Sequence, residues 1–162
     1  NYRAIQQRVG RGIVGYSMGG YGALRYSLAY SDYFGSGMIL SAAIYNKQPP
    51  EASSARTSGA FGKPFDENLW KKKNYPALFQ NYDEKQLLVP LFIATGDDDW
   101  HHQEDVSYNV EQQAVYLYGK LNKEGDSPAE LRIINGGHTE SVWKKAFVQG
   151  IQYMFKYLKY SE

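Results

Sequence analysis

Apolar positions along the chain follow two periods, and these alternate. Residues 12–16 form a short apolar run entered from a basic, polar stretch, and residues 20–30 follow with Leu24 and Leu28 at helical spacing. The pattern predicts a strand, a sharp turn and a helix. Residues 37–43 are a second buried-strand candidate. Over residues 45–82 the periodicity is lost and Pro, Ser, Gly and Lys accumulate, which predicts a long surface excursion with short helices near Asn68 and Ala77.

Residues 87–95 give the clearest strand. Val89, Leu91, Phe92 and Ile93 stand in a continuous apolar run that stops at Gly96-Asp97-Asp98-Asp99. A run apolar on both faces suits a parallel sheet covered on both sides. Val106, Val110, Ala114, Leu117 and Leu121 then trace one helix face that Gly125 closes, and residues 131–134 form another strand. Trp143, Phe147, Ile151, Met154 and Leu158 mark the stripe of a last helix with lysines on its other side. Alternating strands and helices predict an open, mostly parallel α/β sheet in three layers. The 162 residues fit one domain.

Composition narrows the function mainly by exclusion. Eighteen Lys and Arg against 17 Asp and Glu give a formal charge of +1, with no basic run longer than residues 71–73. Neither a nucleic-acid nor a membrane partner is indicated. The absence of cysteine removes disulfides, thiolate metal sites and a thiol nucleophile. No apolar run approaches the length of a membrane span, and residues 1–11 lack the pattern of a signal peptide, so the compartment is not legible. The 15 Tyr and 3 Trp supply core packing and candidate pocket walls.

The chemistry concentrates at three strand ends. Gly15-Tyr16-Ser17-Met18-Gly19 matches Gly-x-Ser-x-Gly between a strand and a helix, where a sharp turn exposes the serine hydroxyl and small residues are expected two before and two after it. Gly20 and Gly22 extend the small-residue surface, and the backbone N–H of Met18 is placed to donate to a developing oxyanion. His138 follows a strand and two glycines and is the candidate base. Asp97, Asp98 and Asp99 follow the strongest strand, and one of them is the candidate acid that orients His138; the residues alone leave the three nearly tied. The order Ser, Asp, His is that of α/β hydrolases. Trp100 and Trp143 are candidate substrate-binding residues by position.

Two other readings compete. His101, His102, Glu104 and Asp105 could be taken as ligands for zinc or manganese, although adjacent histidines on a polar loop are usually solvated. A non-catalytic binding module could use the same cleft, but retention of all three residue types argues against it. Neither a metal nor a cofactor is therefore expected.

Residues 11–24, running from Arg11 through Gly15-Tyr16-Ser17-Met18-Gly19-Gly20 to Leu24, resemble the nucleophile region of the putative-esterase family of α/β hydrolases. Tyr33-Phe34-Gly35, Leu40-Ser41-Ala42, and Gly136-Gly137-His138 followed by Trp143 extend the resemblance over almost the whole chain. That family includes feruloyl and acetyl esterases, S-formylglutathione hydrolases, siderophore esterases and mycolyltransferases. The resemblance implies an acid three residues after the strand-ending glycine, which selects Asp99. It implies a Ser-His-Asp esterase acting on a small-molecule ester, with thioester and siderophore branches as alternatives. In that fold about a hundred residues precede the nucleophile, whereas Ser17 has 16 before it. The chain is therefore expected to be the C-terminal catalytic part of a single domain. The N-terminal half of the same fold is its expected partner, as a second chain or a further segment of this one, and supplies the second oxyanion N–H.

Overall fold

Four parallel strands lie side by side in chain order in the structure, a computed structural model that describes residues 5–101, 105–124 and 127–159. They are β1 (Gly12–Tyr16), β2 (Ser36–Leu40), β3 (Leu91–Asp98) and β4 (Ala129–Gly137). The helices are α1 (Met18–Ala29), α2 (Ser54–Thr57), α3 (Glu67–Lys73), α4 (Phe79–Lys85), α5 (Val110–Glu124) and α6 (Glu140–Met154). Tyr16 lies opposite Leu40, Leu40 opposite Ala94 and Ala94 opposite Arg132, so the carboxyl ends of all four strands share one edge of the sheet.

The two-residue period of the strands divides the core into two layers. Ile39, Leu91 and Ile93 face α1 and α5, packing on Leu24, Leu28, Leu117 and Leu121. Met38, Leu40, Phe92 and Ala94 face α6, meeting Val142, Ala146 and Met154. This explains why β2 is buried at every position while β1, paired on one side only among the described residues, alternates between exposed and half-buried.

Residues 45–82 differ from the predicted surface excursion. The two short helices stand where they were expected, as α3 and the turn Tyr75–Leu78 that runs into α4. However, Trp70, Tyr75, Phe79 and Tyr82 are buried, and the last three belong to the main core. These aromatics are spaced by short, broken helices, so no single period betrays their burial. Tyr82 closes a ring of hydrogen bonds. Its hydroxyl oxygen accepts from Val89 N–H at 2.7 Å and lies 3.0 Å from Ser127 Oγ, which in turn donates to the Val89 carbonyl at 3.3 Å.

Other boundaries also move. β3 begins only at Leu91, after Pro90, and continues through Asp98; β4 runs well past residues 131–134. Val106 sits in a separate short turn and is exposed, while the helix proper starts at Val110. Gly125, the expected stop, lies outside the described residues. On α6 the buried face is Val142, Ala146, Gly150, Tyr153 and Met154, whereas Phe147 of the predicted stripe is 45% exposed. Small residues are the reason. A Cβ at Gly150 would stand 2.2 Å from Met38 Sδ, so the helix presses closest to the sheet where its side chains are smallest.

Tyr82→Phe is expected to leave the Val89 N–H buried and unpaired, costing about 1–3 kcal/mol. The check is urea unfolding, with a lower midpoint at unchanged slope; an unmoved midpoint would return the segment to the surface.

Candidate active site

β1 ends at Tyr16 and α1 begins at Met18, which leaves a single residue to reverse the chain. Ser17 takes φ 52°, ψ −125°. That conformation costs a residue with a Cβ on the order of 1–3 kcal/mol, and neighbouring bonds hold it. Ser17 N–H donates to the Leu40 carbonyl at 2.9 Å, extending the β1–β2 ladder by one step, and Tyr21 N–H donates to the Ser17 carbonyl at 3.2 Å. Gly15 is required by space, since a Cβ there would lie 2.0 Å from the Gly19 carbonyl oxygen. Gly20 is close too, with Ala42 Cβ at 2.9 Å. Gly19 and Gly22 are not: a Cβ at either meets nothing within 4 Å. The expected need for small residues on both sides of Ser17 therefore becomes a need at Gly15 and Gly20.

His138 leaves β4 through Gly136, whose φ of +129° favours glycine. Its Nε2 stands 3.0 Å from Ser17 Oγ and its Nδ1 2.7 Å from Asp99 Oδ1. A carboxylate only accepts, so Nδ1 carries the proton and Nε2 is left to accept from the Ser17 hydroxyl. Asp99 also accepts from Trp100 N–H at 2.8 Å and from Thr95 Oγ1–H at 3.0 Å, and its side chain is fully buried. Asp97 turns elsewhere. It accepts from Gly136 N–H at 2.8 Å, a bond that holds its carboxyl below the usual range and ties the end of β3 to the end of β4, just before His138. Asp98 is exposed.

Met18 is the first residue of α1, where helix N–H groups lack intrahelical partners, and its side chain is exposed. Trp100 stacks on His138 with ring centroids 3.8 Å apart. Trp143 presents its ring edge-on to His138 at 5.1 Å and stacks on Tyr16 at 4.4 Å. Two openings meet at Ser17. One is a groove of about 1220 Å³ between β1 and α6, walled by Tyr16, Trp143 and Phe147. The other is a cavity of about 290 Å³ between α1 and residues 43–70, walled by Tyr21, Tyr45, Trp70 and Trp100. Sequence reading did not single out Tyr16, Thr95 or Tyr21. Only Tyr21 left a signal there, one helical turn after Ser17.

Among the described residues no group of three or more His, Asp or Glu side chains could hold a metal ion. His101 is exposed, and Asp105 caps the turn Val106–Tyr108 by accepting from Ser107 N–H at 2.8 Å; His102 and Glu104 lie outside the described residues. No helix among the described residues is long and apolar enough to cross a membrane.

The model of the family described as Putative esterase matches residues 1–154. No curated protein matches the chain in sequence. Among solved structures, a ferulic acid esterase superposes with a TM-score of 0.72 at 23% identity, covering 98% of this chain and 56% of its own. An S-formylglutathione hydrolase from Staphylococcus aureus gives 0.66 at 20% identity, with 93% and 53% covered. A fluorophosphonate-binding serine hydrolase from the same organism gives 0.64 at 20%, with 93% and 56% covered. The chain thus has the α/β-hydrolase fold and spans about half the length of these neighbours.

Gly15→Ala is expected to destabilise the protein by about 1–3 kcal/mol or to prevent folding, because backbone must yield to the new methyl. Gly19→Ala should change stability by less than about 1 kcal/mol. Thermal unfolding of the pair decides; equal losses would contradict the close contact at Gly15.

Proposed function

The chain belongs to the putative-esterase family, and we propose that it is a serine hydrolase cleaving a carboxylic ester through an acyl-enzyme. The observation that carries this reading is the unbroken run from buried Asp99 through His138 to Ser17, at 2.7 and 3.0 Å. In the proposed reaction, Ser17 Oγ attacks the ester carbonyl as His138 Nε2 takes its proton. Asp99 keeps the imidazole in the tautomer that can do so and stabilises the imidazolium. The Met18 N–H donates to the oxyanion that develops on the carbonyl oxygen. His138 then protonates the departing alkoxide, and water hydrolyses the acyl-enzyme with the same groups in reversed roles.

A binding module without chemistry would have no use for a fully buried carboxylate aimed at an imidazole. The aromatic walls of both openings suit an ester with a ring or sugar on one side. The thioester branch is the second reading, since an S-formylglutathione hydrolase is among the structural neighbours.

Among the described residues β1 pairs with β2 alone, and the Val14 and Tyr16 side chains are exposed. The proposed partner for the other edge of β1 is the remaining half of the same fold, on a second chain or in a longer form of this one. It would add a parallel strand to β1 and supply the second oxyanion donor, whose loss costs about 10²–10³ in rate.

Two measurements test these points. A fluorophosphonate should label Ser17, with Ser17→Ala lowering kcat by about 10⁴ or more and Asp99→Asn by about 10³–10⁴, while Asp97→Asn does far less. Labelling of Ser41 or Ser141, or a greater loss from Asp97→Asn, would overturn the assignment. Residues 1–162 expressed alone should self-associate in sedimentation or turn over short acyl esters only weakly. A monomer as fast as a complete family esterase would refute the proposed partner.

A further inference from the structure

The cavity of about 290 Å³ beside Ser17 contains one charged side chain among its lining residues, Arg25, which no part of the proposed mechanism uses. Tyr21 and Arg25 stand four apart on one face of α1, Ser17 is the residue that caps that helix, and all three line this cavity. Arg25 lies eight residues from Ser17, about 12 Å along the helix axis, and its side chain leans back toward the helix N-terminus and so toward Ser17. Its Nε is buried without a hydrogen-bond partner.

No carboxylate lines this cavity. Instead Arg25 shares the lining with the rings of Tyr21, Tyr45, Phe61, Trp70 and Trp100 and with the hydroxyl-bearing Ser53, Ser54 and Ser58. Burial lifts the Tyr21 phenol to about 12 despite the nearby Arg25 charge, so this tyrosine stays neutral and supplies no counter-ion. The walls are also fixed in place. Tyr21 O–H donates to Asn74 Oδ1 at 3.1 Å, and Asn74 Nδ2–H donates to the Tyr45 carbonyl at 2.7 Å, tying α1, the loop after β2 and α3 together. A half-buried cation whose Nε is desolvated and unpaired, lining an aromatic cavity that holds no anion of its own, suits a ligand carboxylate or similar anion.

We propose that Arg25 is a specificity residue that binds an anionic group at the far end of the ester, a few bonds from the carbonyl that Ser17 attacks. This rests on the proposed esterase reading, with Ser17 as the reacting centre. The anion can belong to the acyl half or to the alcohol half, since either half could occupy the cavity while the other lies in the groove along β1.

The experiment separates the two. In the first arm, p-nitrophenyl monoesters of succinate, glutarate and adipate are compared with uncharged p-nitrophenyl butyrate and valerate. In the second, acetyl esters of hydroxyphenylacetate and hydroxybenzoate are compared with phenyl acetate. In at least one arm the charged ester is expected to have the lower KM. Arg25→Met should then lower kcat/KM for that ester roughly tenfold or more, leaving the neutral ester and fluorophosphonate labelling of Ser17 within about threefold. Arg25→Lys should restore part of the loss. In the unaltered protein, added salt should raise KM for the charged ester alone, a readout that needs no variant to fold. Equal KM for charged and neutral esters in both arms, or equal losses for both on Arg25→Met, would overturn the role of Arg25. Failure of the unaltered protein to react with the fluorophosphonate would instead overturn the esterase reading itself.

Discussion

The backbone ladder of the parallel sheet does not end where the strands do. Ser17 N–H still donates to the Leu40 carbonyl at 2.9 Å, and Ser41 N–H to the Ala94 carbonyl at 2.7 Å. Both serines have positive φ. Each pays for a strained turn with a bond to the next strand. In a parallel sheet all carboxyl ends lie on one edge, so loops leaving β1, β3 and β4 must converge there. Ser17, Asp99 and His138 are brought within two hydrogen bonds by that register, although 121 residues separate the first from the last.

Convergence to a few ångströms needs closer control than strand pairing gives. β3 and β4 shift register between Gly96 and Asp98, and at that point the chains nearly touch, since a Cβ on Gly96 would stand 1.9 Å from the Gly136 carbonyl oxygen. Asp97 holds the two strand ends together through Gly136 N–H, while Thr95 and the Trp100 N–H hold Asp99. The three adjacent carboxylates thereby divide their work by geometry: one faces inward to the imidazole, one clamps the strand ends, and one meets solvent. Trp100 then stacks on His138 and Trp143 meets it at a right angle, so both rings help to hold the imidazole in place.

Much of this was legible in the sequence because the signals were local. A glycine-flanked serine between apolar runs, and polar residues directly after the strongest strands, give the topology and the residues that could react. What stayed hidden depends on contacts between distant segments. The inward role of Tyr75, Phe79 and Tyr82 needs the loop to fold back on α1 and α5. The true face of α6 is set by Ala146 and Gly150, which a search for large apolar side chains passes over. The need for space at Gly15 rather than Gly19 depends on where the next turn places its carbonyl. Arg25 reads as an ordinary helix cation until residues 43–70 form a cavity beside it.

The two sides of Ser17 are built to different standards, and the difference follows from packing. On the α1 side, aromatic rings from several segments wall the cavity, two of these segments are tied together through Asn74, and one cation, Arg25, stands in the lining. On the β1 side the groove is four times larger, and Val14, Tyr16, Phe147 and Val148 are all more than 40% exposed. Exposed apolar side chains beside an unpaired parallel strand are a surface that a further strand or chain would cover. The cavity beside α1 is therefore walled by the residues of this sheet and its loops, whereas the groove beside β1 has one side formed by α6 and the other left open.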